Sequence, residues 1–284
     1  MPANRKKYSF FFKFLSLLSV VRGYNIAIIV LAQYLAAIFI FSPDLTLKQV
    51  IFNLDLYFIV LATICVIASG YIINNFYDSK KDLINKPHKS MLDRLVSQRT
   101  KLSAYFVLNF LAVLLGSYIS FRASVFFSAY IFGIWLSSHK LKRIPFFGNL
   151  VSATLAITPF FAVFVYYKNF ETVIFVHAIF LFLLILAREL VKDLENMVGD
   201  LAQGYRTIPI LYGTLFSKIS ISFLILLTLV PALLLISTFD VGYMYLYFMS
   251  SIVLMVLFLI LLWKAEGKKH YVWLHNILKF AIVA

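Results

Sequence analysis

Apolar stretches long enough to cross a bilayer recur from residue 24 to the last residue given, and no other feature of the sequence constrains its folding as much. A spanning helix needs about 20 residues, and in lipid every backbone N–H and C=O must be satisfied within its own segment. The stretches fall near residues 24–42, 56–77, 102–121, 124–138, 147–167, 172–190, 215–238, 243–263 and 271–284. The fourth is short and the ninth is expected to be incomplete, so the count is about nine, give or take one. A composition of 62% hydrophobic and 13% charged residues excludes a soluble domain of ordinary surface. The expected fold is all-α: a polytopic membrane helical bundle with about nine transmembrane helices and helical cap loops. Neither a linker nor a low-complexity tract interrupts it, so residues 1–284 read as one domain.

Lys and Arg fall almost entirely on one face of the alternation. Arg5, Lys6 and Lys7, the interval from Lys80 to Lys101, Lys140 to Arg143, Arg188 to Lys218 and Lys264 to Lys269 carry them, while the opposite loops hold only Lys48, Arg122 and Lys168. Short positive loops stay cytoplasmic, so the N-terminus is expected in the cytoplasm of a multi-pass protein of the cell (inner) membrane. The net charge of +14 then reflects topology and attraction to the lipid bilayer. Nucleic acid is not expected as a partner, because the basic residues are divided among loops. Residues 1–22 have a basic start and an apolar run, but Lys13 interrupts the run and no small-residue cleavage site follows. Ser9, Lys13 and Ser16 recur at helical spacing, as in an amphipathic helix lying in the membrane interface. A single cysteine, Cys65, excludes an intrachain disulfide and a Cys-based metal cluster.

The acidic residues are concentrated. Seven of twelve lie in or beside two polar intervals, 78–101 and 191–214: Asp78, Asp82, Asp93, Glu189, Asp193, Glu195 and Asp200. Positions three or four apart share a helix face, so Asn74, Asp78 and Asp82 form one stripe and Glu189, Asp193, Asn196 and Asp200 another. Each begins in the last turn of a span and continues into a cytoplasmic loop, so the two could confront each other across a cavity at the membrane surface. Like-charged faces repel unless a cation lies between them. Magnesium suits such a place, since it takes one or two carboxylates, keeps waters and accepts phosphate oxygens. Lys80, Lys86, Lys142, Arg143 and Arg206 would complement the phosphate charge left over. The combination describes a diphosphate pocket open to lipid. Solvated loop charges are the plain alternative for any single Asp. A transporter is a rival of another class, but its signs, mid-span acids and Gly/Pro-broken helices in matching halves, are missing.

"NNFYDSKKDLINKP" resembles the N-x-x-x-D-x-x-x-D signature of the UbiA-type intramembrane prenyltransferases, and "RELVKDLENMVGDLAQGYRTIPILYG" resembles their second aspartate motif. The second segment is most similar to the digeranylgeranylglyceryl phosphate synthase branch. "HKLKRIPFFGNLVSA" is similar to the family's L-K-R-x-P-x-x-G-N segment and "VRGYNI" to its R-x-x-N, and the resemblance runs from about residue 20 to the end. It implies a nine-helix bundle with a lipid-facing cavity, two Mg2+ ions as cofactors, and transfer of a prenyl group from a prenyl diphosphate to a lipophilic acceptor. By position, Asn74, Asp78 and Asp82 would hold one metal and Asn196 and Asp200 the other, with Asp193 able to stand in. Asp78, Asp82 and Asp200 would be the catalytic carboxylates, Lys142 and Arg143 would meet the diphosphate, and Asn25 would lie beside it. The sequence departs from the pattern at Asn75 and Asn196, where the family usually has Asp, at Ser138, where many members have Tyr, and in the long "HKSMLDRLVSQ" run.

The chemistry follows from the bond involved. An allylic diphosphate breaks at C1 once its leaving charge is absorbed by a Lewis acid and cationic clamps, and the allylic cation must be kept from water. Aromatic faces can steady such a cation, and the chain has 30 Phe and 17 Tyr, most of them expected in packing and lipid contact. A prenylated glycerol phosphate is the acceptor that the second motif favours, and an aromatic quinone precursor is the alternative.

Overall fold

The computed structural model describes residues 10–283, with side chains from Ser16 onward. All regular structure among them is helical. In chain order the helices are α1 (Phe10–Val21), α2 (Gly23–Ala36), α3 (Leu47–Ile51), α4 (Leu54–Asn85), α5 (Pro87–Asp93), α6 (Gln98–Ile119), α7 (Phe121–His139), α8 (Phe147–Tyr167), α9 (Thr172–Ala202), α10 (Ile208–Ser237), α11 (Met244–Lys264) and α12 (Lys268–Val283). A wide π turn, Ala37–Phe41, prolongs α2, and a 3₁₀ turn, Leu141–Arg143, precedes α8.

Each of the nine apolar stretches lies on a helix of its own: α2, α4 and α6 to α12. Seven of these are long and apolar enough to cross a membrane, which makes the chain a multi-pass membrane protein. The other two are α7 and α12. Arg122, Ser124, Ser128, Ser137, Ser138 and His139 dilute α7, and α12 has 16 residues that include Lys268, Lys269 and His270. Polar residues set the helix starts. Thr46 and Gln49 form a capping box on α3, Asn53 accepts from the Leu56 N–H at 2.9 Å at α4, and Ser97 accepts from the Thr100 N–H at 3.1 Å at α6.

Two compact units are distinguishable. The first comprises residues 1–31 and 53–139, of which those from residue 10 are described, and is organised about α4, which packs on α6, α7, α5 and α1. Val20, Ile72, Ile73 and Tyr105 are buried together there. Gly116 of α6 lets α7 come close, because a Cβ at this position would lie 3.1 Å from the Phe127 ring and 3.2 Å from the backbone of Ser124. Ser16, expected on the polar face of α1, is fully buried and donates to the Leu92 carbonyl at 2.8 Å, a partner that a buried hydroxyl requires. Ser9 and the side chain of Lys13, the other members of that stripe, lie outside the described residues.

The second unit comprises residues 32–52 and 140–284, described to residue 283, and is organised about α9, which packs on α10, α12 and α8. Leu184, Val191, Ile221, Ile225, Phe248 and Leu278 lie in its largest apolar cluster. In this unit the buried Gln33 donates to the Pro159 carbonyl at 3.0 Å, and Phe41 packs on Phe160 with ring centres 4.8 Å apart. Gly213 interrupts the regular torsions of α10 at φ +82°, ψ 171°.

Gly116→Val is expected to cost about 1–3 kcal/mol by overpacking, read as a fall of the thermal midpoint in detergent. An unchanged midpoint would show that α6 and α7 have room to spare there.

Candidate active site

α4 and α9, with 32 and 31 residues, exceed the other described helices in length. At 1.5 Å per residue each runs about 45–50 Å, well beyond a hydrocarbon layer of about 30 Å. Both acidic stripes therefore sit on unbroken helix, as their spacing predicts.

In the first unit Asn74, Asp78 and Asp82 occupy the last three turns of α4. Asp78 is buried, with Lys81 Nζ 3.7 Å from its Oδ1, and Asp82 is half-buried. Pro87 ends the helix: the residue before a proline is driven from helical torsions, and Lys86 stands at φ −140°, ψ 64° while its N–H still donates to the Asp82 carbonyl at 2.7 Å. The turn places Lys86 and Lys89 next to the stripe. Burial pushes the Lys89 ammonium below the ordinary lysine range; Arg22 and Lys86 push the same way, while Asp93 and Asp82 oppose them. Lys80 is exposed. Asn25 donates to the Tyr71 hydroxyl at 3.3 Å, one turn before Asn74, and the Arg22 guanidinium lies over the Tyr71 ring at 5.0 Å. Arg22 takes a left-handed φ of 52° at the joint between α1 and α2, a conformation that costs a residue with a side chain energy.

In the second unit the stripe on α9 divides its work. Glu189 is engaged by Lys192 Nζ at 2.6 Å and Arg188 Nη2 at 3.4 Å. Asp193 Oδ2 accepts from Asn149 Nδ2 at 2.7 Å, which ties α9 to the start of α8. Asn196 donates through Nδ2 to the Lys192 carbonyl at 2.8 Å, and Asp200, 2% exposed, ends the stripe. Beyond it the Tyr205 N–H returns to the Asp200 carbonyl at 2.9 Å, which turns Tyr205 under the Arg143 guanidinium, 5.0 Å from the ring centre. The Arg206 N–H donates to the Arg143 carbonyl at 3.3 Å, so the turn after α9 and the 3₁₀ turn before α8 hold each other. Arg143 and Arg206 are exposed and Lys142 is half-buried. Among the described residues no three His, Cys, Asp or Glu side chains gather into a metal cage of their own.

The structure thus groups Asn74, Asp78, Asp82 and Lys86 in one unit, with Asn25 joined to them through Tyr71. It groups Asp193, Asn196, Asp200, Lys142, Arg143 and Arg206 in the other. Sequence reasoning did not single out Arg22, Lys89, Asn149 or Tyr205. All four stand inside quoted segments, Arg22 in "VRGYNI", Asn149 in "HKLKRIPFFGNLVSA", Lys89 in "HKSMLDRLVSQ" and Tyr205 in "RELVKDLENMVGDLAQGYRTIPILYG", but none was given a role there.

Gly148 fixes the cationic turn. A Cβ there would stand 2.8 Å from the Leu141 carbonyl oxygen and 3.0 Å from Lys142 Cα, both backbone atoms that cannot swing aside. Gly148→Ala is expected to displace Lys142 and Arg143 and to weaken binding of magnesium diphosphate by about tenfold. Calorimetry in detergent checks this, and wild-type affinity would count against the role given to the turn.

A family model described as the UbiA prenyltransferase family matches residues 31–281. The digeranylgeranylglyceryl phosphate synthase of Methanobrevibacter smithii is 31% identical over 238 residues, which cover 79% of this chain and 80% of that one. A solved structure of a digeranylgeranylglyceryl phosphate synthase aligns with a TM-score of 0.71 at 22% identity over 95% of both chains. A UbiA homolog from Archaeoglobus fulgidus bound to GPP and Mg2+ aligns with a TM-score of 0.70 at 14% identity, covering 94% of this chain and 96% of that one. The structural likenesses speak for the fold, and the sequence match across most of the chain decides the family: this protein belongs to the UbiA prenyltransferases.

Proposed function

We propose that the chain transfers a prenyl group from its diphosphate to a prenylated glycerol phosphate. The observation that carries this reading is the pair of carboxylate and amide stripes at the ends of α4 and α9, each with cationic side chains beside it in its own unit. The Methanobrevibacter smithii relative, named for digeranylgeranylglyceryl phosphate synthesis, supports the acceptor class, and the Archaeoglobus fulgidus homolog bound to GPP and Mg2+ supports the donor and the metal.

The donor set fits a hard divalent ion, because Asn74, Asp78 and Asp82 offer only oxygen ligands on one face, and Asn196 with the buried Asp200 offer the same on another. Magnesium held there would supply charge neutralisation for the departing diphosphate. Asp78, Asp82 and Asp200 carry the charge of the sites. The amide of Asn196, whose Nδ2 is committed to the Lys192 carbonyl, presents Oδ1 as the ligand atom. Asp193 Oδ2 accepts from Asn149 and helps keep α8 in place, and Asn196 with Asp200 would form the second set beside it. In the first unit Lys80 and Lys86 would bind phosphate oxygens with Asn25 beside them, and in the second Lys142, Arg143 and Arg206 offer the same chemistry. When the C1–O bond breaks, its electron pair leaves with the diphosphate. The acceptor hydroxyl oxygen then bonds to C1, and its proton passes to a diphosphate oxygen. Activity requires both stripes, and residues 1–284 act as one catalytic domain in the cell membrane with the N-terminus in the cytoplasm and residues 1–22 at the interface.

The test is incubation of purified protein with magnesium, prenyl diphosphates of several lengths and a panel of prenylated glycerol phosphates and aromatic acceptors, with products read by mass. A prenyl ether of the glycerol phosphate is expected, lost in excess chelator. Asp78→Ala or Asp82→Ala should lower turnover by about 10²–10³-fold or more, and Asn196→Leu should weaken the magnesium response more than Asp193→Asn does. Full activity without divalent metal, or products only on aromatic rings, would overturn the reading.

The orientation is checked separately. Tags inserted after residues 90 and 205 should both be protected from reagents outside intact cells. Labelling of either from outside would place its stripe on the wrong side.

A further inference from the structure

Asn75 is adjacent to Asn74 in sequence, but about 100° around the helix it points away from the stripe and into a buried polar chain. Its Oδ1 accepts from Lys101 Nζ at 2.9 Å and its Nδ2 donates to Asp93 Oδ2 at 3.0 Å. Ser19 Oγ donates to the other carboxylate oxygen of Asp93 at 3.0 Å. Next to it, Ser16 Oγ donates to the Leu92 carbonyl at 2.8 Å. Lys101 is 1% exposed and Asp93 3%. Both charges are thus withdrawn from solvent and linked through one amide. A lysine ammonium only donates and a carboxylate only accepts, so a group placed between them must accept on one side and donate on the other. Asn does so, whereas a carboxylate in its place would be set against that of Asp93.

The chain of bonds ends on α5. This helix of seven residues is too short to hold itself, and the bonds to Leu92 and Asp93 fasten its C-terminal end to α1 and α4. Its other end carries Lys89, whose surroundings include Arg22, Asp93 and Asp82, and is preceded by Lys86, whose N–H donates to the Asp82 carbonyl at 2.7 Å. We propose that Asn75 is a positioning residue: by joining Lys101 to Asp93 it holds α5 so that Lys86 and Lys89 stand beside Asp82 to receive the diphosphate. The functional part of this inference rests on the activity proposed above, and the mechanical part does not.

Three variants decide it, each purified in detergent. Asn75→Asp should raise KM for the prenyl diphosphate about tenfold with kcat within about threefold, because the binding lysines move while the reacting groups stay. It should also speed limited trypsin cleavage after Lys89 and Arg94. The exchange Asn75→Asp with Asp93→Asn swaps the amide and the carboxylate and keeps the bonds between them. The carboxylate, now on α4, accepts both from Lys101 and from the amide, now on α5. This double variant should restore KM and cleavage to within about twofold of wild type. Ser19→Ala, a milder loss, should shift cleavage in the same direction as Asn75→Asp. Wild-type KM and cleavage in Asn75→Asp would overturn the proposal, and so would an exchange variant as impaired as the single one. If Asn75→Asp fails to fold, a folded exchange variant supports the proposal and an unfolded one overturns it. Absence of turnover in the wild type would sink the proposed activity, and the proteolysis would still decide whether Asn75 holds α5.

Discussion

Carboxylates cannot be kept in hydrocarbon at tolerable cost, and that constraint governs how the chemistry of this chain is placed. The solution is to let two helices outrun the bilayer. α4 and α9 are apolar for the length of a span and then continue as helix into the polar region, so the rigidity that lipid imposes on a spanning segment is carried over to the residues that follow. Side chains on such an extension inherit fixed spacing and direction, which a free loop would have to acquire from other contacts. The proposed metal ligation would benefit from that order, because the geometry would be set before an ion arrived.

Two pairs of cations stand off the long helices, unlike Lys80 and Lys81 on α4. Lys86 and Lys89 follow a proline break, and Lys142 and Arg143 lie in a 3₁₀ turn, so neither pair belongs to a long helix. Each pair is held by a distant polar bond, α5 through Asp93 and the 3₁₀ turn through the Arg143–Arg206 backbone bond, and the bare Cα of Gly148 gives the turn room to pack. In the proposed reaction, long side chains on short, tethered elements could follow a substrate whose charge moves, while the carboxylates on the extended helices would remain where they are.

The spans and both stripes were legible in the sequence, because hydrophobic length and a period near four are local properties of neighbouring residues. Partnerships between distant residues were not. Asn75 looked like a lost carboxylate until Lys101 and Asp93 were seen on either side of it, and the bond between Asn149 and Asp193 joins residues 44 positions apart, beyond the reach of any local pattern. Ser16 was read as polar surface because periodicity cannot tell a hydroxyl facing water from one facing a carbonyl in a neighbouring helix. Tyr205 lay in the second quoted motif without a role, since its place depends on a turn that returns its N–H to Asp200.

Gly213 differs in kind from Gly148. A Cβ added there would meet nothing within 4 Å, so space does not demand a glycine; the torsion of φ +82° does. A continuous helix behaves as a rod and carries a bending force from end to end. With one residue off the helical path, α10 becomes two rods on a common pin, the outer one being Ile208–Tyr212. The direction of Ile208–Tyr212, next to the turn with Tyr205 and Arg206, is thereby set apart from that of the long apolar section.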